Sequence, residues 1–469
     1  MRRTRAIGTV VALAIAVSVR GWILWGLPHR WHHDAGLYAV HAWRLLHGKY
    51  QSLLEGGYAQ IPLLGHSWTA LWAVLVGTRS LPAIQMPGIA GSLVAIAAAG
   101  VIAQRLAPQR PFAPIVTMLL LGMNAVFAAF STMSAYMDPV LFQALAVAAL
   151  LLAERHAAWV VVTALAGALS TLAYYSGRWT PVVLALVGIV RVAQGHLSWR
   201  RLACAGALTL ALLGPQAWAA TQPNPSVPHG RLWEPNGRMD MFCTVYTATH
   251  GPSDHCPPLM IRIERTLGVF TPSAHDGSTQ FGVPGVPLLS AMEVIAVLVG
   301  LVAFGGSAEM LLLAWAGSIL FVGGALTLNC PFYPRILPAV VPLCITLGLL
   351  CGKAIHERRI VGGAVVLAVI AGAAASHLSV LPRWTAGSTA AWILRVGEDI
   401  LALPPQRAIA FDAPHRELSC DHPFLLNFIQ DRPCRRSTPG VLYRVREATT
   451  APECPTLAFV WNYRVERCE

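Results

Sequence analysis

The chain has 469 residues, of which 55% are hydrophobic and only 12% charged. A soluble protein carries about twice that charge, and apolar runs near the ~20 residues that cross a bilayer recur along the sequence, which excludes a soluble globular protein. The formal net charge of +12 does not point to nucleic acid, because lysine occurs only at Lys49 and Lys353 and much of the arginine sits in short loops between apolar runs, where it orients the spans.

Met1-Arg2-Arg3-Thr4-Arg5 and the apolar run from Ala6 have the pattern of a signal peptide. The run continues to about Leu27 without a clean small-x-small cleavage site, which predicts an uncleaved first span. Further spans are predicted near 83–104, 112–131, 139–153, 157–173, 179–192, 202–219, 286–304, 308–328, 336–352 and 360–379, about eleven in all. The clusters Arg2, Arg3 and Arg5; Arg105 and Arg110; Arg155; Arg191, Arg200 and Arg201; and Lys353, Arg358 and Arg359 alternate with these spans as cytoplasmic loops should. Residues 62–78 are apolar as well, but a crossing there would throw Arg105 and Arg110 to the outside. The segment is short and contains His66, so it reads as an interfacial or re-entrant helix on the outer surface; the rival is a true span with a weaker charge bias.

This topology gives a transmembrane domain, 1–379, with a cytoplasmic N-terminus, and an extracytoplasmic C-terminal domain, 380–469. The outer regions are 28–82, 132–138, 220–285 and the C-terminal domain. Helix-like stretches at 387–402 and 422–430, with strand-like runs at 407–412, 440–446 and 457–465, predict a small α/β unit. The Pro- and Gly-rich loop 220–285 is expected to lack a core of its own. Cys243 with Cys256, Cys420 with Cys434, and Cys454 with Cys468 are local pairs on the outer side, natural disulfides in an oxidising compartment. Other pairings fit the spacing too. A zinc site is the rival, although the chain has no Cys-x-x-Cys. Cys330 falls at an outer span end, and Cys204, Cys344 and Cys351 within spans.

The densest group of chemistry-capable residues is Trp31-His32-His33-Asp34. Asp34 stands where the N-cap of a helix over 35–47 belongs, and Gly48 where its C-cap belongs. Asp34 is equally placed to serve as a carboxylate base at the membrane boundary. Asp138, after Tyr136, is expected to open the fourth span, either complementing the helix dipole or acting as a functional carboxylate at the membrane edge. Arg20 in the outer third of the first span is expected to snorkel to headgroups. Arg178 follows Tyr174-Tyr175-Ser176-Gly177, and Arg335 follows Asn329-Cys330-Pro331-Phe332-Tyr333-Pro334. Guanidinium groups at such positions suit a lipid-linked phosphate or, less specifically, bulk headgroups. His32, His33 and His66 could join a carboxylate on a divalent metal. Trp22, Trp25, Trp31, Trp68 and Trp72 read as interface anchors.

In their order these features resemble the C-type integral-membrane glycosyltransferases, in particular the bacterial branch related to the dolichyl-phosphate-mannose–protein mannosyltransferases and the lipid A aminoarabinose transferase. The matching elements are Arg20 in the first span; Asp34, Tyr38, Leu45, Leu46 and Gly48 as Asp-x-x-x-Tyr and Leu-Leu-x-Gly; Pro62-Leu63 in the interfacial helix; Met137-Asp138-Pro139; and Arg335-x-Leu337-Pro338. The match departs at Ala35, where many relatives have Glu after the acid, and at Gln60-Ile61-Pro62, where many have a charge before Pro-Pro. The resemblance implies an all-α polytopic membrane fold. The enzyme would be a transferase moving a sugar from a polyprenyl-phosphate donor to an envelope acceptor (lipid, glycan or protein) at the outer face of the plasma (inner) membrane, with inversion. Asp34 would act on the acceptor, Asp138 on acceptor or metal, and Arg335, Arg178 and Arg20 on the donor phosphate. Tyr38, His33 and His66 become acceptor or metal candidates, and a divalent metal a possible cofactor. The rival functions are a transporter or flippase of a lipid-linked sugar, disfavoured by the few ionisable residues in mid-span, and a non-catalytic scaffold for envelope assembly.

Overall fold

The computed structural model describes residues 2–26, 42, 45–46, 48, 67–76, 81–219, 242–251, 253–254, 256–271, 274, 285–386, 409–412, 441–447, 454–460 and 463–468. Its main body is a bundle of helices in chain order: α1 (Arg2–Gly21), closed by a π-turn (Trp22–Gly26), α2 (Ser67–Val76), α3 (Leu81–Leu106), α4 (Ala113–Met123), α5 (Ala125–Phe130), α6 (Ser134–Leu152), α7 (Trp159–Ala173), α8 (Thr180–Ala193) and α9 (Trp199–Ala219). After them come α10 (Cys243–His250), α11 (Leu259–Leu267), α12 (Ala291–Phe304), α13 (Ser307–Ile319) with its π-turn (Leu320–Ala325), the short α14 (Tyr333–Ile336), α15 (Val340–Glu357) and α16 (Arg359–Ala386). Among the described residues, seven helical segments are long and apolar enough to cross a membrane, and α4, α7 and α12 are shorter apolar helices. The chain is a multi-pass membrane protein.

Buried polar contacts collect the predicted basic loops at one end of the bundle, the basal end. Arg110 bonds the Glu309 carboxylate and donates to the Leu349 carbonyl at 3.1 Å, and Arg191 Nε pairs with Glu154 Oε1 at 2.5 Å. Arg201 donates to the carbonyls of Ala153 and Glu154 at 2.6 and 2.8 Å, and Lys353 to that of Phe304 at 3.1 Å. Ala153 and Phe304 close α6 and α12, so these cations satisfy carbonyls that no intrahelical N–H can reach. The opposite end gathers the π-turn of α1, the 131–133 turn, the 3-10 turn Tyr175–Trp179 and α14.

Helix α2 is ten residues long, about 15 Å at ~1.5 Å per residue, half the thickness of a bilayer core. It packs at this opposite end, with Thr69 Oγ1 3.0 Å from Ser134 Oγ and Trp68 donating to the Pro87 carbonyl at 3.3 Å, as expected of an interfacial helix. Gly48 has φ +63 and donates to the Leu45 carbonyl at 3.2 Å, the left-handed stop predicted for the preceding helix.

Several expectations change. The single run 112–131 is broken at Asn124, which ends α4 and, through its side chain, caps α5 at the Phe127 N–H. The fourth span begins at Ser134, one turn before its expected start. The spans also contain a buried hydrogen-bonded pair, Glu293 with His377, so the interior is less free of ionisable groups than the sequence suggests. The reason is that the two groups satisfy each other inside protein, where a hydropathy average registers only their apolar neighbours.

The described part of the C-terminal domain is a four-stranded sheet, β1 (Ile409–Asp412), β2 (Val441–Glu447), β3 (Thr456–Val460) and β4 (Tyr463–Cys468), in the order β1-β2-β4-β3. β1 lies parallel to β2, Ile409 opposite Val441, while β2–β4 and β3–β4 are antiparallel. The strand-like run 457–465 is thus divided between two strands of a hairpin rather than forming one. Cys454–Cys468 closes this hairpin and Cys243–Cys256 staples α10 to the following loop. The Cys420–Cys434 pair and the helices expected at 387–402 and 422–430 lie outside the described residues. Cys204, Cys330, Cys344 and Cys351 are free.

Candidate active site

Asp138 sits in the second turn of α6, fully buried, and among the described residues neither carboxylate oxygen has a hydrogen-bond partner. It is therefore not at the helix N-terminus, as its sequence neighbours suggest: Pro139, a residue that favours first turns, lies inside α6 here. A proline there leaves the Ala135 carbonyl without its intrahelical N–H, and the Pro139 carbonyl accepts from Ser170 Oγ at 2.9 Å. Gly88 of α3 allows the approach of the 131–134 turn that places this helix start, since a Cβ on it would lie 2.4 Å from the Ser131 carbonyl oxygen. Burying an unpaired carboxylate is costly. Asp138→Asn keeps the shape and removes the acid; it is expected to raise the thermal midpoint by a few degrees, read by thermal unfolding.

A row of edge-to-face rings leads away from Asp138. Tyr136 meets Phe130 at 5.9 Å and Tyr174 at 4.9 Å, Tyr174 meets Tyr175 at 5.1 Å, and the Arg178 guanidinium lies 4.4 Å over the Tyr175 ring. The turn carrying Arg178 is held from below. Ser170 Oγ and Thr180 Oγ1 are 2.8 Å apart, Gln143 donates to Thr180 Oγ1 at 3.0 Å, and Trp315 donates to Gln143 Oε1 at 3.2 Å. Gly177 lies flat on α7, where a Cβ would come within 1.8 Å of the Ser170 carbonyl oxygen. Gly177→Ala is accordingly expected to destabilise the fold by roughly 1–3 kcal/mol, measured by thermal or denaturant unfolding.

Arg335 belongs to the one-turn helix α14, and that helix contacts the Tyr175–Trp179 turn. Arg335 is mostly buried, donates to the Leu328 carbonyl at 3.1 Å and lies 4.4 Å over the Phe332 ring. Asn329, at φ 53, makes the left-handed turn that leads into this segment.

Arg20 does not snorkel. It is 1% exposed, donates through Nε to Ser92 Oγ at 3.3 Å and through Nη1 to the Gly122 carbonyl, and stands 5.5 Å from the Phe127 ring centroid. Among the described residues its Nη2 has no partner. The side chain turns inward because the break after α4 and the α3 hydroxyl offer acceptors closer than any headgroup. Ser92 follows Gly91, against which Met137 and Leu141 pack, so one turn of α3 links Arg20 to the helix of Asp138.

Arg262 escaped notice in the sequence. It lies in α11, within the loop expected to have no core. That helix is inverted: Arg262 and Thr266 are buried while Met260 and Leu267 are 74% and 58% exposed, and Arg262 donates to the Ala325 carbonyl at 2.8 Å. A single arginine within the apolar run Leu259-Met260-Ile261-Arg262-Ile263 was the available signal. Arg262 and Arg265 also act on the buried thiol of Cys330, which burial pushes up and their charge pulls down.

The structure thus brings Asp138, Arg178, Arg335 and Arg20 to the same end of the bundle. Asp34, Tyr38, His32, His33 and His66 lie outside the described residues. Among the described residues no group of three or more His, Cys, Asp or Glu could hold a metal. A buried carboxylate at the bundle end that also carries several guanidinium groups offers an acid and phosphate-binding donors on one side of the fold.

No protein-family model matches the chain, and no curated protein matches it in sequence. Solved structures do. ArnT from Cupriavidus metallidurans, bound to undecaprenyl phosphate, superposes with a TM-score of 0.64 at 14% identity over 98% of this chain and 97% of that one. The Archaeoglobus fulgidus oligosaccharyltransferase tethered to an acceptor peptide superposes with a TM-score of 0.52 at 12% identity over 93% of this chain and 64% of that one. The same oligosaccharyltransferase in complex with Zn and sulfate gives 0.51 at 12% identity over 92% of this chain and 62% of that one. Together with the order of the helices, these superpositions assign the chain the fold of the C-type (GT-C) integral-membrane glycosyltransferases.

Proposed function

We propose that the protein is a membrane glycosyltransferase that moves a sugar from a polyprenyl-phosphate donor to an envelope acceptor on the outer face of the plasma membrane. The observation that carries this reading is the unpartnered, fully buried Asp138 carboxylate at the bundle end where Arg20, Arg178 and Arg335 also lie. Undecaprenyl phosphate in ArnT supports the donor class. In this reading the guanidinium groups hold the phosphate and take up the charge that grows on it as the glycosidic bond breaks. Asp34 accepts the proton of the acceptor nucleophile and Asp138 orients the acceptor. Displacement on the face opposite the leaving phosphate inverts the anomeric carbon. Tyr38, His33 and His66 stand as acceptor or metal candidates in the first outer loop, and no step is routed through a metal. The N-terminus and the basal loops face the cytoplasm, the sheet domain the outer side.

Mass spectrometry of lipid co-purified with the protein tests the donor class. A polyprenyl phosphate, free or sugar-linked, is expected; bulk phospholipid alone would overturn the assignment.

A further inference from the structure

Three buried polar side chains on distant parts of the chain take no part in the site described above. Asn124, Glu293 and His377 are 0%, 0% and 2% exposed. Glu293 Oε2 accepts from the Ser290 N–H at 2.7 Å, and Ser290 Oγ accepts from the Glu293 N–H at 3.4 Å, a capping box that starts α12. The same Oε2 lies 2.7 Å from His377 Nε2. Asn124 Nδ2 is 3.5 Å from that ring nitrogen but 2.7 Å from the Leu288 carbonyl oxygen. One imidazole nitrogen cannot donate to a carboxylate and accept from an amide at once. The shorter contact makes Nε2 the donor to Glu293, and the amide bonds Leu288. The Asn124 Oδ1 is engaged by the Phe127 N–H at 2.9 Å.

Ionisable groups in a membrane interior are expensive and are kept for a reason. The serine alone would cap α12, so the cap does not require His377. The reason is visible in what the net holds. On one side, Gly122, two residues before Asn124, accepts from Arg20 through its carbonyl, and Phe127, capped by Asn124, lies beside that guanidinium. On the other side, the segment that enters α12 is pinned at Leu288 to the Val269 carbonyl at 2.8 Å, and its Val286 carbonyl accepts from the Tyr333 hydroxyl at 2.9 Å. Tyr333 opens the single helical turn that carries Arg335.

We propose that Glu293, His377 and Asn124 are positioning residues that fix Arg20 and Arg335 relative to each other on a lipid-linked phosphate. The inference rests on the transferase reading above. A phosphate gripped by two guanidinium groups needs both in place together, and small displacements of such groups are costly.

Binding of undecaprenyl phosphate, with undecaprenol as the phosphate-free control, tests this in nanodiscs. Glu293→Ala is expected to weaken undecaprenyl phosphate binding about tenfold and to leave undecaprenol binding unchanged. Glu293→Gln should bind as the parent protein does, because its amide oxygen can take the place of Oε2 and accept from both the Ser290 N–H and His377 Nε2. With Arg335→Ala as background, Glu293→Ala should cost nothing further. If Arg335→Ala and Arg20→Ala both bind undecaprenyl phosphate normally, the transferase site itself is wrong. If they weaken binding but Glu293→Ala does not, or if its loss multiplies with that of Arg335→Ala or extends to undecaprenol, the positioning role is overturned. Should Glu293→Ala fail to fold, Tyr333→Phe cuts the same linkage at the Val286 carbonyl and keeps the ring. Severalfold weaker binding by a protein that still folds is expected, with a modest fall in thermal midpoint from the lost bond, and unchanged binding would overturn the proposal.

Discussion

Asp34→Asn is expected to slow transfer from a lipid-linked donor about a thousand-fold, within the range for removal of a general base, while the protein stays folded. In the proposed reaction the acceptor loses a proton as it attacks the anomeric carbon, and Asp34 is the acid in the first outer loop that the resemblance assigns to that task. Asn is the discriminating replacement because it caps a helix as well as Asp does. If Asp34 serves only as a cap, the variant should turn over donor like the parent. Single-turnover rates, with thermal midpoints to establish folding, separate the two outcomes; Asp34→Ala would not, since it removes the cap and the carboxylate together.

Arg335→Ala is expected to lower kcat by about a hundredfold, as loss of a charge-stabilising donor does, and kcat/KM further, because the proposed phosphate contact is also made in the bound donor. Arg335→Lys should recover part of this and remain about tenfold below the parent. The guanidinium rests on the Phe332 ring and spends one N–H on the Leu328 carbonyl. A lysine carries the charge without the planar fork, so it cannot hold that posture and present two parallel donors to phosphate. Steady-state kinetics in which Lys matches Arg would mean that only bulk charge matters there, and an unchanged kcat in the Ala variant would remove Arg335 from the site.

Much of this architecture was legible in the sequence, because spans are written as apolar length and loops as arginine. The order of the helices, the short interfacial helix at 67–76, the left-handed stop at Gly48 and the Cys243–Cys256 and Cys454–Cys468 pairs follow from such local signals. What stayed hidden depends on neighbours distant in sequence. Asn124 looks like one polar residue in an apolar run, and only its bond to Leu288, 164 positions away, shows why the helix breaks there. Glu293 and His377, 84 positions apart, give no sign of pairing. Arg20 reads as an interfacial arginine until Ser92 and Gly122 are seen to offer it acceptors. In the candidate site, the residue types of Asp138, Arg178 and Arg335 were legible, but the unpartnered state of Asp138 was not, since it follows from α6 starting at Ser134 rather than at Pro139.

The account requires that the first outer loop and the exposed Thr271 share one side of the membrane while the exposed Arg358 lies on the other. Single cysteines at 34, 271 and 358, introduced with the exposed Cys204 replaced by serine, can be probed in intact cells with a membrane-impermeant maleimide. Positions 34 and 271 are predicted to label from outside and 358 only after permeabilisation. Labelling of 34 and 358 from the same side would contradict the account.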